Sequence, residues 1–373
     1  MILPKPEPSG SGFFQSPLVR PRRLRYNGTR QAGPSYPLPA GKGRTMNLKN
    51  YPFTVEQDSM RNPFVGIPTF LMAPLCLDLD RLEADIAVIG MPYDMGTSVN
   101  TGARFGPRGV RTASTYNCYA HEGWYDPIRR ETYLGDPWRI VDCGDIDVLH
   151  TEQRRSFINC EAAIRKILSK GAIPFVIGGD HAITTPILRA FDGYDDLCVV
   201  QFDAHLDFTL EPHGIHEGPG SPMRRVSEMA HVSHIMQIGI RGIGSSQLSD
   251  FRDAEANGNV ILTSRDVRRM GTDAVIEKIP QAKHYYITFD IDGLDPSIAI
   301  GTGSPVPFGL LYEEASAIIE GVAKKGSIVG MDVVEISPPC DVQNMTSMYG
   351  AQLMLDAMSF LTKEKERKAA QNA

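Results

Sequence analysis

Short runs of apolar and β-branched residues recur through the chain, at 85–90, 139–143, 173–177, 197–202, 234–240, 260–262, 285–289 and 328–334. They are almost continuously apolar rather than alternating. A strand needs that pattern only when both of its faces are buried, as in a parallel sheet covered by helices. Helical stretches separate the runs. Ala162, Ile164, Ile167 and Leu168 recur at helical spacing within 161–170, Gly171 fits a C-terminal cap, and the run 173–177 follows at once. Tyr312–Lys325, Gly326 and the run 328–334 repeat the scheme. The pattern predicts an α/β fold: a three-layer α/β/α arrangement around a mostly parallel eight-stranded sheet.

With 373 residues the chain is long enough to bury such a core. Its 42% apolar and 22% charged residues exclude wholesale disorder. No apolar run approaches the roughly 18 to 20 residues of a membrane span, so no membrane partner is expected. Six cysteines stand at 76, 118, 143, 160, 198 and 340 without a Cys-x-x-Cys pair. That argues against a disulfide framework or a thiolate zinc site, and for a reducing compartment. Residues 1–49 hold eight prolines, six glycines and nine Lys/Arg against one acid, Glu7, and read as an extended or disordered arm. The prolines break the amphipathic helix of a transit peptide, so a cytoplasmic protein is expected. Residues 50–373 read as a single domain. Because the arm is basic and the whole chain carries −6, that domain is strongly acidic. This argues against a nucleic-acid groove and favours a cationic partner.

Three of the runs end in acids or histidine. The run 173–177 leads into Gly178-Gly179-Asp180-His181, 197–202 into Asp203-Ala204-His205-Leu206-Asp207, and 285–289 into Asp290-Ile291-Asp292-Gly293. Ligands of open parallel sheets bind beyond the carboxyl ends of the strands, so the three clusters should meet at one edge. While strand geometry persists, Asp203, His205 and Asp207 share a face, as do Asp290 and Asp292. A lone Asp-x-Asp at a strand end is ordinarily a turn or a helix cap. Four carboxylates converging with His181 and His205 are another matter: without cations they would repel and take up protons. Two divalent cations relieve the repulsion, and an oxygen and imidazole donor set suits Mn²⁺-like ions.

From about residue 67 to 360 the chain resembles the ureohydrolase family, which includes arginase, agmatinase, guanidinobutyrase, formiminoglutamase and guanidine hydrolase. Gly102-Ala103-Arg104-Phe105-Gly106-Pro107-Arg108 and Met331-Asp332-Val333-Val334-Glu335-Ile336-Ser337-Pro338-Pro339 resemble its agmatinase branch. The resemblance implies an arginase/deacetylase-like sheet and one catalytic domain over 50–373. It implies two divalent ions on His181, Asp203, His205, Asp207, Asp290 and Asp292, with manganese expected and nickel the alternative. It implies hydrolysis at a guanidinium carbon, releasing urea or a urea derivative with ammonia or an amine. Homo-trimers or homo-hexamers are implied too, or hetero-oligomers with a related subunit. A guanidinium carbon is a poor electrophile because resonance spreads its charge, and paired metals supply an activated water near neutral pH. In this scheme Asp207 accepts the proton and Glu335 holds the guanidinium N–H groups, a task suited to a bidentate carboxylate.

Two segments depart from the family pattern. The Ser-His-Gly segment whose histidine protonates the leaving amine corresponds here to Gly218-Pro219-Gly220. With Pro219 at that position, His216 is the expected shuttle and His213 the next, with a metal-bound water as a further source. Either histidine is otherwise an exposed loop residue. Phe308 stands where relatives commonly have the first of two glycines, and either shortens the pocket or packs under its loop. The aromatic segment 119–125 lines a cavity or a subunit contact. Both features point to a compact substrate, namely guanidine or a small substituted guanidine or biguanide. Agmatine or guanidinobutyrate comes next. Formiminoglutamate requires Arg224 or Arg225 to point inward. A non-catalytic partner subunit is the alternative of another class, but such subunits usually lose metal ligands and all six are present here.

Overall fold

Each of the eight apolar runs is a strand of one sheet: β1 (Ile86–Gly90), β4 (Ile140–Asp145), β5 (Ile173–Ile177), β6 (Leu197–Phe202), β7 (Val232–Ile240), β8 (Val260–Thr263), β9 (His284–Asp290) and β10 (Ser327–Val334). The remaining strands, β2 (Trp124–Asp126) and β3 (Glu131–Tyr133), form a separate antiparallel hairpin. The order across the sheet is β4-β1-β5-β10-β9-β6-β7-β8, and every neighbouring pair is parallel. The computed structural model describes residues 62–118, 122–211, 214–244 and 246–371. The predicted arm, 1–49, lies outside the described residues, and the core described belongs to a unit spanning 52–373.

Helices cover both faces, as the apolar pattern demands. On one face lie α1 (Gly106–Ser114), α6 (Ser264–Met270), α7 (Thr272–Lys278), α8 (Tyr312–Lys325) and α9 (Met345–Gln371). On the other lie α2 (Gln153–Ser169), α3 (Thr184–Arg189), α4 (Pro222–Ser227) and α5 (Leu248–Ala256). The strands divide their side chains between two cores: Val88, Phe175, Ile287 and Met331 face the first, while Ala87, Val176, Val199 and Val329 face the second. Burying a side chain such as Ile287 completely stabilises the fold by roughly 1.5–3 kcal/mol. Among the described residues no helix is long and apolar enough to cross a membrane.

Helix α8 has the bounds the sequence predicts. Helix α2 starts well before residue 161; its first turn, Gln153-Arg154-Arg155, is polar, and before residue 161 only Phe157 and Cys160 supply buried apolar side chains, which left the early turns without a helical apolar pattern. Gly171 follows α2 with φ +76°, a left-handed cap that glycine adopts without a Cβ penalty. The consequence for chemistry lies in the strand order. β5, β6, β9 and β10 are scattered in the sequence but are the four contiguous strands β5-β10-β9-β6 at the centre of the sheet. Their carboxyl ends therefore open at one place.

Candidate active site

At the tip of β5 the chain makes a very close approach. A Cβ on Gly179 would lie 1.6 Å from the Tyr93 carbonyl oxygen, so only glycine fits. Asp180 then accepts hydrogen bonds from Gly96 N (2.8 Å) and Ala182 N (3.1 Å) and caps the turn His181–Ile183 that presents His181. At the tip of β6, Asp203 Oδ1 accepts from His205 N (2.6 Å), and Asp203 Oδ2 accepts from Gln201 Nε2 (2.6 Å). At the tip of β9, Asp290 Oδ1 accepts from Asp292 N (2.9 Å), and Asp292 Oδ1 accepts from Ala204 N (3.1 Å), tying the two tips together.

The six predicted side chains do converge, but not by strand alternation. β6 ends at Phe202, and Asp207 sits at φ +52°, its carbonyl accepting from Met223 N and Arg224 N at the start of α4. Turn geometry aims these side chains instead, with Asp203 and Asp290 each accepting from the N–H two residues on and Asp292 held by Ala204 N.

Two donor groups result, and they share Asp203. In the first, His181 Nδ1 lies 2.9 Å from Asp207 Oδ2, 3.0 Å from Asp203 Oδ2 and 3.3 Å from Asp290 Oδ2. In the second, His205 Nδ1 lies 3.0 Å from Asp292 Oδ2 and 3.5 Å from Asp203 Oδ1. Burial and Asp203 push the Asp207 carboxyl up to about 6, and burial with Asp292 and Asp203 drives Asp290 well above the usual carboxylate range. Burial disfavours an imidazolium at His205, yet Asp203 and Asp292 outweigh it and push the group up to about 12. Four acids and two imidazoles, largely buried at the floor of a cavity, thus demand positive charge. His181 Nδ1 is buried and makes no hydrogen bond, although three carboxylate oxygens surround it. A nitrogen lone pair ringed by oxygen atoms fits a divalent cation better than a shared proton. The donor set, carboxylate and imidazole without thiolate, suits a manganese-like or nickel-like pair.

Above this cluster lies a cavity of about 540 Å³. His181, His205, Asp207, Asp290, Asp292 and Glu335 line it, with the loop 97–100, Thr209 and Ser304 among the other walls. Glu335 is at φ +61°, a conformation that costs a non-glycine residue on the order of 1 kcal/mol or more. Its N–H donates to Gly179 O (2.8 Å), and its Oε1 accepts from His181 N (2.9 Å), so the β5 turn holds it at the cavity. Burial, then the nearby Asp180, raises its carboxyl well above the ordinary range. Among the described residues no lysine or arginine lines the cavity. The nearby Arg241 directs its guanidinium at backbone carbonyls, including Asp292 O (2.6 Å) and Val306 O (2.8 Å).

Other expectations change. His216 is exposed, contacts Glu211 and Arg225, and is absent from the cavity lining, whereas Pro219 and Gly220 of the same loop do line it. The loop thus brings Pro219 and Gly220, not His216, to the wall. His213 lies outside the described residues. Phe308 does not line the cavity: its ring carries the Arg268 guanidinium 4.1 Å from its centroid, and its backbone is at φ +69°. Arg224 pairs with Asp253 and Arg225 with Glu228, and neither lines the cavity. In the segment 119–125, Trp124 packs against the main core and Tyr125 is exposed, both in the hairpin.

Sequence reasoning missed the polar loop 97–100 and two buried supports. Asn259 Nδ2 donates to Gln237 Oε1 (2.8 Å), Gln237 Nε2 to Gln201 Oε1 (2.6 Å), and Gln201 to Asp203. Beneath His181 lie Thr288 and Asp332. The visible signal was a polar residue inside an otherwise apolar strand: Gln201 in β6, Gln237 in β7, Thr288 in β9, Asp332 in β10.

Comparison with known proteins gives a family model described as "Arginase family", which matches residues 84–359. The chain is 35% identical over 314 residues to guanidinopropionase of Pseudomonas aeruginosa, covering 82% of this chain and 95% of that protein. It is 35% identical over 295 residues to agmatinase of Neisseria meningitidis, covering 78% and 91%. The solved structure of proclavaminate amidino hydrolase from Streptomyces clavuligerus aligns with a TM-score of 0.71 at 32% identity, covering 81% of this chain and 99% of that one.

Proposed function

The chain belongs to the arginase family, and from that premise we propose that it is a metal-dependent amidinohydrolase whose substrate is a guanidinium compound without a carboxylate. Guanidine, or a small substituted guanidine or biguanide, is the first choice, releasing urea or a urea derivative with ammonia or an amine. One observation carries the reading: a cavity floored by four carboxyl-bearing residues and two imidazoles, with no described lysine or arginine in its lining. Such a wall attracts a cation, and its described residues offer no lysine or arginine to pair with a carboxylate. The hydrolase chemistry itself is common to the named relatives guanidinopropionase, agmatinase and proclavaminate amidino hydrolase.

In this reading His181, Asp203, Asp207 and Asp290 hold one divalent ion, and Asp203, His205 and Asp292 hold the other. The pair, manganese or nickel, supplies Lewis-acid activation of a water near neutral pH. Glu335 orients the guanidinium through paired N–H···O contacts. Asp207 takes the proton released as the new carbon–oxygen bond forms and returns it to the departing nitrogen. His216 is not needed for that return, which agrees with its position outside the cavity lining. A homo-trimer or homo-hexamer is proposed on the same family grounds, and a cytoplasmic location on the cysteine pattern.

Agmatine is the second reading, favoured by the agmatinase similarity and by a cavity of about 540 Å³, roomy for guanidine alone. Of the features that suggest a compact pocket, Phe308, Trp124 and Tyr125 do not line the cavity, and Tyr119 lies outside the described residues. Protein loaded separately with manganese and nickel is to be assayed for urea release from guanidine, biguanides, agmatine, guanidinobutyrate, guanidinopropionate and arginine. The proposal expects carboxylate-free substrates to lead. A clear preference for guanidinopropionate or arginine would overturn it.

A further inference from the structure

We propose that Thr288 and Asp332 are positioning residues that hold the His181 imidazole as its Nε2–H tautomer, leaving Nδ1 bare for a divalent cation. The inference rests on the metal reading above and concerns how this chain prepares one ligand.

A count of protons fixes the tautomer. Asp332 is completely buried and takes three hydroxyl hydrogen bonds: Thr288 Oγ1 to Oδ1 (2.7 Å), Tyr286 Oη to Oδ2 (2.9 Å) and Thr184 Oγ1 to Oδ2 (3.1 Å). A hydroxyl has one proton. Thr288 spends its proton on Asp332, so the oxygen it presents to His181 can only accept. His181 Nε2 lies 3.0 Å from that oxygen and must therefore be the donor. Thr184 Oγ1, 3.2 Å from Thr288 Oγ1, does not change the count: its own proton goes to Asp332 Oδ2, so towards Thr288 it can only accept, and a Thr288 proton shared that way is likewise withheld from His181. With Nε2 protonated, the neutral ring carries its lone pair on Nδ1. That is the atom ringed by Asp203, Asp207 and Asp290 oxygens without a hydrogen bond to any of them.

The arrangement is a carboxylate–hydroxyl–imidazole chain, a common way of orienting a metal-binding histidine with one threonine inserted. It is separate from the support of the second group. His205 has no counterpart to it among the hydrogen bonds described, and Asp203 is steadied by the neutral amides of Gln201 and Gln237. The chain should therefore bear on the His181 position more than on the His205 position.

The test uses the full-length protein stripped with a chelator and titrated with Mn²⁺, with stoichiometry and affinity read by equilibrium dialysis and elemental analysis, and folding read by the thermal midpoint. Thr288→Val removes the acceptor, and one of the two Mn²⁺ positions is expected to weaken about 10- to 100-fold. Thr288→Ser restores it. Asp332→Asn weakens the same position, since an amide that donates to Thr288 frees the hydroxyl proton to face Nε2 and drives the ring proton to Nδ1. Thr184→Val removes a hydroxyl from Asp332 without touching His181 and keeps the affinity within about twofold. If Thr288→Val does not fold, Asp332→Asn and Thr184→Val carry the comparison. Wild type binding two Mn²⁺ while Thr288→Val or Asp332→Asn binds them equally well overturns the tautomer assignment alone. Equal losses in Thr184→Val and Asp332→Asn overturn it as well, by pointing to packing. A wild type that takes up no Mn²⁺ or Ni²⁺ overturns the metal reading and this inference with it.

Discussion

Two corners of the sheet's carboxyl edge carry buried aspartates, and they differ in where the compensating charge comes from. At the β1–β4 corner each acid has an arginine from its own chain. Asp142, fully buried, is held by Arg111 through Nε (2.8 Å) and Nη2 (3.0 Å), and the same guanidinium reaches Asp145 (2.5 Å). Asp94, almost fully buried, pairs with Arg104 and also accepts from Gly102 N (2.9 Å). At the β5–β6–β9 corner the ion pairs of Asp203, Asp207, Asp290 and Asp292 among the described residues run only to His181 and His205. The first corner is electrically closed. The second needs a cation from outside. A buried acid is thus no signal of chemistry in itself; four of them converging with only two imidazoles as ion-pair partners are what mark the site.

The comparison is most exposed at Asp203, which both donor groups share. Asp203→Ala is expected to reduce bound metal to one ion per chain or fewer and turnover by roughly 10³-fold, the scale of losing a preorganised charged group. Metal content by elemental analysis, beside steady-state urea release, decides it, and two tightly bound ions in the variant would erase the distinction between the corners. Next in size is the opposite corner. Arg111→Met leaves Asp142 buried without its partner and should cost about 3–5 kcal/mol of stability by denaturant titration, while metal stoichiometry stays at the wild-type value. Metal loss in that variant, at conditions where it is folded, would mean the corners are not independent.

A finer cut is Gln201→Leu, which takes from Asp203 its amide donor and keeps the carboxylate. About a tenfold weaker metal affinity is expected, the low end for an outer hydrogen-bond partner, with the thermal midpoint separating this from unfolding. The smallest effects should come from residues that only the sequence nominated. His216→Ala and Phe308→Ala should each change stability by no more than about 0.5 kcal/mol and leave kcat within a factor of about two. A collapse of kcat in His216→Ala, with loss of one limb of the pH–rate profile, would return the proton shuttle to that loop.

The supports around the site explain which parts of it could be read in advance. Gln201 is conspicuous as the single polar residue of β6, and Gln237 as the one polar residue in the buried part of β7, yet nothing local says that they touch each other. They do so because β6 and β7 are neighbours with Gln201 opposite Gln237 in register. Thr288 and Asp332 meet in the same way across β9 and β10. His216 shows the reverse failure: the resemblance places Pro219 at the shuttle position, where it does line the cavity, but membership of the same loop did not bring His216 to the wall as its substitute.

Chain order alone was enough for the eight strands, the layered α/β architecture and the six candidate ligands. Both signals are local: a strand buried on two faces must be apolar at nearly every position, and ligands two residues apart at a strand tip share a turn. Folding was required to learn that four strands distant in sequence lie side by side, that their tips enclose a cavity free of described lysine and arginine, and that hidden hydroxyls and amides hold the ligands. Those features arise from contacts between residues far apart along the chain, and hydrophobic periodicity carries no record of which strand lies beside which.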